Sequence, residues 1–576
     1  MNAEHLLAHY ERIADAPDAV SRLRRFILDL AVRGKLVPQD PKDEPASELL
    51  KRLKKGLSKS SRKASRTGNN EVTAPEYNLP SSWLWVRIGD HLELVNGMAF
   101  KPTDWQQTGI KIVRIQNLNR LDAPFNYCDS KTVRDRFLID DGAFLISWSG
   151  TPGTSFGAFI WDRGSAVLNQ HIFRCDFRLK AFDPRYLRLA INGRLDEMIA
   201  KAHGGVGLQH ITKGKLEALL ITLPPLAEQN RIVAKVNELT VLCDRLEAAR
   251  AEREMVRDGL TAASLARLNT PDPDTFQSDA RFAMDALPAL TARPDQIKQL
   301  RQTVLNLAVR GKLVPQEAGD EPASELLKRI AAEKARLIKK GEVKKEKPLE
   351  AITDVIKPFD IPDGWEWVRL DVLTQLITKG SSPKWQGVNY ASADEGLLFI
   401  TSENVGSYEL RKLDELKYVE ARFREIEPRS MLKTGDILMN LVGASIGRTA
   451  LYDLTTEANI NQAVALIRLI ELHEGPSVDY LLHYLNAPSA VEFMLGSRVT
   501  SAQPNMSLTD TREFPVPLPP LAEQHRIVSK VDELIALCDR LETSLMTGED
   551  TRSRLLEALL AGALTPAEAR ERQAAE

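Results

Sequence analysis

The clearest hydrophobic pattern in the chain is a seam of apolar residues spaced alternately four and three positions apart. It comprises Ile232, Val236, Leu239, Cys243 and Leu246, and it recurs as Ile527, Val531, Leu534, Cys538, Leu541 and Leu545. An apolar period of 3.5 residues is typical of helices that pack along a coiled-coil seam. The pattern therefore predicts two long amphipathic helices.

Both seams follow the sequence LPPLAEQ, which predicts a helix start. Pro225 and Pro520 suit a first helical turn, where a missing N–H is not needed, and the two glutamates then lie near the positive end of the helix dipole. The first helix is predicted to reach about Leu268, so that about 40 residues span roughly 60 Å. The second is predicted to resume after Gly548 and to end near Gly562.

Short β-rich runs separated by Gly, Pro and Asn predict strands between these helices. They are IKIVRI (110–115), AFLISW (143–148) and HIFRCDF (171–177), with helical stretches at about 184–202 and 478–495. We predict an α/β (α+β) fold.

The chain contains a long internal sequence repeat. Residues 23–53 and 300–330 are identical at 23 of 31 positions, and residues 223–247 and 518–542 at 20 of 25. The order is therefore framework, insert, helix, and then the same again. A recent duplication without functional asymmetry would explain the frameworks, but it gives no reason for the inserts to differ so much more.

The two inserts share anchors that indicate one fold with different surfaces. PSSWLWVRIGD at 80–90 matches PDGWEWVRLDV at 362–372, and residues 140–150 match 433–443. Further matches pair Asn169-Gln170 with Asn461-Gln462, Tyr186 with Tyr480, and Asn192 with Asn486. Nearly identical frameworks predict two copies of one docking surface. Divergent inserts predict that the two inserts recognise different ligands.

Composition fits a globular protein of about three or four domains. The 77 Lys and Arg against 79 Asp and Glu give a net charge of −2, which argues against a simple DNA coat but leaves room for local basic surfaces. Two basic stretches, 51–66 and 334–347, are either solvated helix ends and linkers or arms that follow phosphates.

Nothing in the sequence indicates a metal, disulfide or membrane site. The four cysteines, Cys128, Cys175, Cys243 and Cys538, lie far apart and form no CxxC pair. The N-terminus lacks an apolar core of the signal-peptide type, and no apolar run reaches about 18 residues. We expect a cytoplasmic protein with no membrane partner.

Catalytic motifs are missing as well. The three Gly-Lys pairs, beginning at Gly34, Gly214 and Gly311, are each followed by Leu, so none forms a P-loop. No NPP[FY], DPP[FY] or HExxH sequence occurs. We expect a protein that binds or assembles and is not an enzyme, with no cofactor or metal of its own.

The repeated LPPLAEQxRIVxKVxELxxLCDRLE helix, with LAVRGKLVPQ and EPASELLKR before each insert, resembles the specificity subunit of type I restriction-modification systems. The resemblance covers almost the whole chain and implies two similar globular target-recognition domains separated by long antiparallel coiled-coil helices, with a pseudo-two-fold internal repeat. The implied segments are an N-terminal framework with a basic linker (1–75), target-recognition domain 1 (76–222), the central helix and linker (223–295), the repeated framework (296–355), target-recognition domain 2 (356–517) and the C-terminal helix (518–576).

The resemblance also implies a function and partners. Each domain would read one half of a bipartite, asymmetric sequence in double-stranded DNA, and the helices would set the gap between the halves. Two modification (adenine methyltransferase) subunits would dock on the helices, and two restriction (translocase and endonuclease) subunits would complete a phage-defence complex. S-adenosylmethionine, ATP and magnesium are expected in those partners. The docking candidates are Ile232, Val236, Leu239, Leu246, Ile527, Val531, Leu534 and Leu541.

Polar residues in the turns of the inserts are the candidates for DNA contact, because Arg and Lys suit guanine, and Asn and Gln suit adenine. In the first insert they are Lys101, Arg114, Gln116, Asn117, Gln170, His171, Gln209 and His210. In the second they are Lys379, Ser381, Lys384, Ser402, Asn404, Arg448, Gln462, Arg498, Gln503 and Asn505. For each, a hydrogen bond that supports the fold is the alternative role.

Three further alternatives are open. The tryptophan pairs at 83/85 and 365/367 either stack on bases or belong to the core. The whole chain is either a DNA reader or a coiled-coil scaffold without DNA readout, and only the former predicts salt-dependent binding to duplex DNA. The chain could also be an enzyme whose active-site residues come from distant segments. Methylation or cleavage of DNA by the purified chain alone would support that alternative.

Overall fold

A computed structural model describes residues 15–16, 18–55, 77–150, 156–194, 209–347, 349–353, 356–496 and 505–564. The chain divides into two compact units, residues 1–253 with 549–576, and residues 254–548. Each unit holds one insert with its own sheets, so the predicted mixed fold with two similar domains is confirmed.

The first unit begins with two framework helices and continues into the first insert. Its helices are α1 (Ala19–Val32), α2 (Ala46–Lys55), α3 (Ile88–His91), α4 (Ile115–Asn119), α5 (Pro184–Asn192) and α6 (Lys213–Ala218). Its strands are β1 (Leu84–Arg87), β2 (Leu92–Asn96), β3 (Ile110–Val113), β4 (Asn126–Cys128), β5 (Leu138–Ile139), β6 (Phe144–Ser147), β7 (Ser149–Gly150), β8 (Gly157–Ile160), β9 (Ala166–Leu168), β10 (Ile172–Phe177), β11 (Gln209–His210) and β12 (Leu220–Leu223).

Two four-stranded sheets form the body of this insert, in the orders β2-β10-β6-β8 and β4-β3-β9-β5. Strands β3 and β9 run parallel, whereas the β2-β10-β6-β8 pairs are antiparallel. A separate ribbon of β1 and β12 closes the insert where it enters and leaves the framework, with Trp85 opposite Thr222. The strands predicted at 110–115, 143–148 and 171–177 are confirmed as β3, β6 and β10.

The second unit repeats this order. Its helices are α8 (Phe276–Asp285), α9 (Leu287–Leu290), α10 (Pro294–Val309), α11 (Ala323–Lys340), α12 (Leu370–Leu373), α13 (Phe423–Ile426), α14 (Val478–Asn486), α15 (Pro488–Leu495) and α16 (Leu508–Arg512). Its strands are β13 (Glu366–Arg369), β14 (Thr374–Lys379), β15 (Tyr390–Ala391), β16 (Gly396–Ile400), β17 (Lys417–Glu420), β18 (Asp436–Asn440), β19 (Thr449–Tyr452), β20 (Ala458–Ile460), β21 (Val464–Leu469) and β22 (Pro515–Leu518). Sheet orders β14-β21-β18-β19 and β13-β22 match those of the first unit. In the mixed sheet β15-β17-β16-β20, the strands β17-β16-β20 correspond to β4-β3-β9, with β16 and β20 again parallel, but β15 is added at one edge and, among the described residues, no named strand replaces β5 at the other.

The two long helices are α7 (Leu226–Asn269), which precedes α8, and α17 (Leu521–Leu564), which ends the described chain; each has 44 residues. Each spans about 66 Å at 1.5 Å per residue. Helix α7 begins in the first unit and ends in the second, and α17 begins in the second and ends in the first. The predicted interruption at Gly548 is wrong, because α17 runs through it, and an isolated helical glycine costs only about 1 kcal/mol.

The apolar seam of each helix faces the core of the insert beside it. Ile232 and Val236 join the core of the first unit, and Ile527 and Val531 that of the second. Four of the eight predicted docking residues are therefore buried inside the chain, because the first turns of each helix cover the insert's own apolar surface. The seam becomes accessible only further along, at Leu246 and Leu541.

The ends of the long helices pack on framework segments within each unit. In the first unit, Leu556 and Leu559 of α17 bury Ala16 and Ala19, at the start of the framework. In the second, Leu265 and Leu268 of α7 pack on α8 and α9. Each insert is thus carried on a framework to which both long helices contribute. None of the described helices is long and apolar enough to cross a membrane.

Candidate nucleic-acid interface

A buried polar cluster fixes the first insert to the start of α7. Trp83 Nε1 donates to Glu228 Oε2 over 2.9 Å, and Gln39 Nε2 donates to Glu228 Oε1 over 2.6 Å. One turn later, Arg231 pairs with Asp43 at 2.6 Å. We call these five residues the first latch, since they join framework, insert and long helix.

The second unit repeats the cluster with the corresponding residues. Trp365 Nε1 and Gln316 Nε2 donate to Glu523 over 2.9 and 2.7 Å, and Arg526 pairs with Asp320 at 2.5 Å. These five residues form the second latch. Their repetition explains why the EQxR part of the helix motif and the PQ and D positions of the framework recur in the sequence.

Burial raises the pKa of Glu228 and of Glu523 above its ordinary value, although the hydrogen bonds from tryptophan and glutamine oppose this shift. The shift has the same direction and the same causes in both copies. A buried carboxyl group that accepts these hydrogen bonds has a structural role. The near-identity of the frameworks is therefore explained by two equal structural joints.

The ends of several strands converge in the first unit to form a surface. Strands β2, β3, β6 and β9 all end there, and β11 lies beside β7. We call residues 97–101, 114–117, 148–150, 169–171 and 209–211 the first strand-end surface. The backbone bonds that join its segments run from Met98 N to Leu168 O (2.8 Å), Asn169 N to Val113 O (3.0 Å), Trp148 N to His171 O (3.4 Å) and Ile211 N to Trp148 O (3.0 Å).

All the DNA-contact candidates of the first insert lie on this surface. Lys101, Gln116 and Gln170 are exposed, and Arg114 and His171 are half-buried. Gln209 and His210 lie on β11, paired with Gly150 and Ser149. The candidates taken from the sequence therefore lie in segments that are distant along the chain and that the fold brings together.

The corresponding surface of the second unit is built in the same way. We call residues 379–384, 401–404, 441–448, 461–463 and 505–506 the second strand-end surface. Gly380 is required there, because a Cβ at this position would lie 1.6 Å from the carbonyl oxygen of Ile460. The joining bonds run from Asn461 N to Ile400 O (3.0 Å), Leu441 N to Ala463 O (2.9 Å), Met506 N to Leu441 O (2.8 Å) and Asn440 Nδ2 to Ser402 O (2.9 Å).

The described candidates of the second insert also meet on this surface. Lys379, Lys384 and Asn505 are exposed, whereas Ser381, Ser402, Arg448 and Gln462 are half-buried. Arg498 and Gln503 lie outside the described residues.

Two candidates are corrected by the structure. Asn117 is fully buried, accepts a hydrogen bond from Arg114 N, and donates to the carbonyl oxygens of Ala123 and Pro124 over 3.1 Å each. Asn404 is likewise buried and accepts from Thr401 N over 3.1 Å. Both amides cap the turn that follows the parallel strand, so neither is free to contact a base.

One tryptophan of each entrance pair belongs to the core, and the other, Trp85 or Trp367, is half-buried. Trp83 and Trp365 are buried within the latches, each in an edge-on contact with a buried tyrosine at 6.4 Å. The predominantly exposed tryptophans are others, Trp105 and Trp385, which the sequence analysis did not single out. The missed signal is a tryptophan in a polar turn without a neighbouring apolar run.

The exposed part of each long helix carries an equivalent apolar pair. In α7 it is Leu242 and Leu246, which are 45% and 37% exposed, and in α17 it is Leu537 and Leu541, at 39% and 37%. Val241 lies beside the first pair and is also exposed. Of the predicted docking residues, only Leu246 and Leu541 are part of these pairs, while Leu239 and Leu534 are half-buried.

Within the described part of the chain, no group of His, Cys, Asp and Glu side chains is arranged to hold a metal ion. All four cysteines are buried and free. Burial raises the pKa of each thiol. Side chains of this kind support a core.

The fold and these surfaces define a protein with two related recognition domains on a repeated helical framework. The family model of the type I restriction modification DNA specificity domain matches residues 80–253 and 426–547. The chain therefore belongs to this family, and its function is DNA sequence specificity.

Relatives agree along nearly the whole length. The chain is 29% identical to the EcoEI specificity subunit of a type I restriction enzyme from Escherichia coli, over 95% of this chain and 94% of that protein. It is also 29% identical to the EcoAI specificity subunit from E. coli, with the same shares covered. A crystal structure of an HsdS subunit from Thermoanaerobacter tengcongensis is similar at 20% identity and a TM-score of 0.44, covering 86% of this chain and 99% of that one.

Proposed function

We propose that the chain reads a bipartite, asymmetric DNA target, with one half bound at each strand-end surface. The observation that carries this proposal is that the two inserts share a topology but present different side chains at equivalent positions. Arg114, which is half-buried at the first surface, corresponds to Thr401, which is buried in the second, so only the first surface offers a side chain at this position. Direct readout depends on the hydrogen-bonding groups offered to base edges, so such differences give different half-sites.

Two further pairs of positions support the difference. Trp148, which follows β6, corresponds to Leu441, which follows β18. His171 lies against Trp148 with ring centroids 5.6 Å apart, and it corresponds to Ala463. By contrast, the adjacent Gln170 and Gln462 are the same in both copies, so they do not distinguish the half-sites.

We further propose that the long helices set the gap between the half-sites and carry the partner subunits. Leu242 with Leu246, and Leu537 with Leu541, give two equivalent exposed apolar patches, each one helical turn long. Two copies of one modification subunit need two such surfaces, related by a pseudo-two-fold axis. The restriction subunits would join that assembly in the cytoplasm.

In this proposal the chain does no chemistry. S-adenosylmethionine, ATP and magnesium belong to the partners, which methylate adenine or translocate and cut DNA. What this chain contributes is binding, orientation and spacing. Purified alone, it should neither methylate nor cleave a duplex.

The test is a long-read map of adenine methylation in host DNA with the gene, without it, and with the gene restored. We expect a bipartite motif with unequal halves that disappears with the gene and returns on complementation. A copurification of the modification subunit accompanies the map. If that subunit copurifies and is active but no motif depends on the gene, the proposal is wrong.

A second measurement separates a DNA reader from a scaffold. Binding of the assembled complex to the mapped duplex should weaken as salt rises, since phosphate contacts release counterions. A change of one half-site should weaken binding further. An affinity for duplex DNA that depends on neither the salt concentration nor the half-site sequence would favour a scaffold.

A further inference from the structure

We propose that Trp105 and Trp385 each stack on a DNA base, one in each half-site, where the duplex is locally unstacked. The inference rests on the proposed function and extends it to a second kind of contact. It concerns side chains that contribute aromatic surface, whereas the candidates above offer hydrogen bonds. It rests on the positions of the two tryptophans in the fold, their exposure, the turns that carry them and the charged side chains nearby.

The two tryptophans occupy corresponding connections. One connection leaves β2 at Gly97 and passes through a 3-10 turn at Pro102–Asp104 before β3. The other leaves β14 at Gly380 and passes through a 3-10 turn at Pro383–Gln386 before β15 and β16. Each connection starts on its strand-end surface, and each carries one tryptophan at or directly after the turn. The surrounding sequences, KPTDWQQ and SPKWQG, are otherwise different.

Both indoles are open to solvent. Trp105 is 45% exposed and Trp385 is 73% exposed, whereas the other six tryptophans of the chain are buried or half-buried. A large aromatic side chain normally loses most of its surface on folding, because its burial is strongly favourable. An exposed one in each domain, beside a surface for recognition, indicates a partner that covers it.

Hydrogen bonds fix the backbone of both turns at the tryptophans. Trp105 N donates to Pro102 O over 3.3 Å, and the next residue, Gln106, donates from its backbone N to Tyr127 O over 2.8 Å. In the other copy, Trp385 N donates to Ser382 O over 3.0 Å, and the Gln386 side chain donates to Glu427 over 2.9 Å. A fixed turn reduces the ordering cost of binding.

The charges around both indoles favour a nucleic acid as the partner. The Arg114 guanidinium lies 5.9 Å from the centre of the Trp105 ring. Lys101 precedes the same turn, and Lys384 precedes Trp385 directly; both lysines are exposed. A cation beside an aromatic face suits a phosphate next to a base.

Stacking needs an accessible base face, which a regular duplex does not offer. An enzyme that acts on a base draws it out of the helix and leaves its neighbours unstacked. Aromatic or apolar side chains stabilise such steps. In the proposed complex, the two tryptophans would hold the opened duplex while the modification subunits receive the adenines.

The test uses the full chain assembled with its modification subunits and a duplex that contains the mapped target. The variants are Trp105→Ala, Trp385→Ala, Trp105→Phe and Trp385→Phe, and Phe282→Ala is the matched control. Phe282 is an exposed aromatic residue on α8 and belongs to neither strand-end surface. We expect each alanine variant to weaken target binding by about 5- to 150-fold, as loss of one stacking side chain does, and each phenylalanine variant to restore most of it.

Two readouts identify stacking. The dependence of affinity on salt should be the same in wild type and variants, because no phosphate contact is removed. A 2-aminopurine that replaces the target adenine of one half-site should brighten on binding wild-type complex, because that base leaves the stack, and this signal should fall only with the tryptophan of that half. Alanine variants that bind and brighten as wild type does would overturn the inference and leave the proposed function intact. If the wild-type complex does not prefer its target over other duplexes, both the inference and the proposed function are wrong.

Discussion

The latches and the strand-end surfaces of this molecule differ in how far the two copies agree, although they lie in the same two units. Every latch contact in one copy has its counterpart in the other, with hydrogen-bond lengths that differ by about 0.1 Å. The strand-end surfaces keep their backbone joints and a few side chains such as Gln170 and Gln462, but they exchange arginine for threonine, tryptophan for leucine and histidine for alanine. Equal joints with unequal surfaces allow one assembly to read two sequences.

The largest effect should come from exchanging a surface while keeping its latch. Replacing residues 362–517 by a second copy of 80–222 places Trp83 opposite Glu523 as its new hydrogen-bond partner. Because the framework is pseudo-two-fold, we expect the asymmetric target to be lost and a target with two identical, inverted half-sites to appear. The reciprocal chimera should give the other symmetric target. A methylation map checks both, and an asymmetric motif from either chimera would contradict the assignment.

The opposite change alters the framework and leaves the surfaces alone. Deleting one heptad from each long helix, residues 248–254 and 543–549, spares the exposed leucine pairs and shortens each helix by about 10 Å, or roughly 3 base pairs. We expect the same two half-sites with a shorter gap, read from the same map. A two-residue deletion is the control, since it turns the helix by about 200° and should abolish activity. Altered half-sites after the heptad deletion would show that the helices do more than set distance.

The latches themselves should be equally costly to break. Glu228→Ala leaves the buried Trp83 and Gln39 donors without their acceptor, and Glu523→Ala does the same to Trp365 and Gln316. We expect each to lower the free energy of unfolding by about 2–4 kcal/mol, measured by urea denaturation. Glu238→Ala, which removes an exposed partner of Lys235, should cost less than about 0.5 kcal/mol. A large difference between the two latch variants would mean that the joints are not equivalent.

The sequence predicted those parts that depend on periodicity and repetition. The 3.5-residue seam gave the long helices, and the repeats gave two domains with one fold. The apolar runs gave β3, β6 and β10 nearly residue by residue. Polar turn residues were placed well because they directly follow apolar runs, and the ends of neighbouring strands meet in space.

The parts that failed depend on contacts between distant segments. Asn117 has the composition of a base-reading residue, but its amide is used by carbonyl groups six and seven residues away. The seam residues Ile232 and Val236 look alike whether a helix packs on a partner or on its own domain. The exposure of Trp105 and Trp385 follows from what the fold leaves uncovered, and the local signal for it was only their position in polar turns.

The interior of the first insert holds a buried histidine that predicts a loss of stability in acid, and the second insert holds a buried histidine of its own, His483, whose pKa burial also lowers. His91 at the end of α3 is buried, with its ring 5.3 Å from that of Phe182, and burial lowers its pKa to about 4. The corresponding residue in α12 is Leu373. In the unfolded chain a histidine titrates near 6.5, so below that pH the unfolded state takes up a proton that the folded state does not.

Stability conferred on the first insert by neutral His91 is therefore complete above about pH 6.5 and is lost as the pH falls toward 4. Between pH 7.5 and 5.0 the loss should be about 2 kcal/mol of unfolding free energy. We expect His91→Leu, which copies Leu373, to remove that component, and replacement of the exposed His473 by leucine to leave it unchanged. Urea denaturation at the two pH values measures the difference. Equal acid sensitivity in wild type and His91→Leu would show that His91 is protonated in the folded protein and that this site does not distinguish the two inserts.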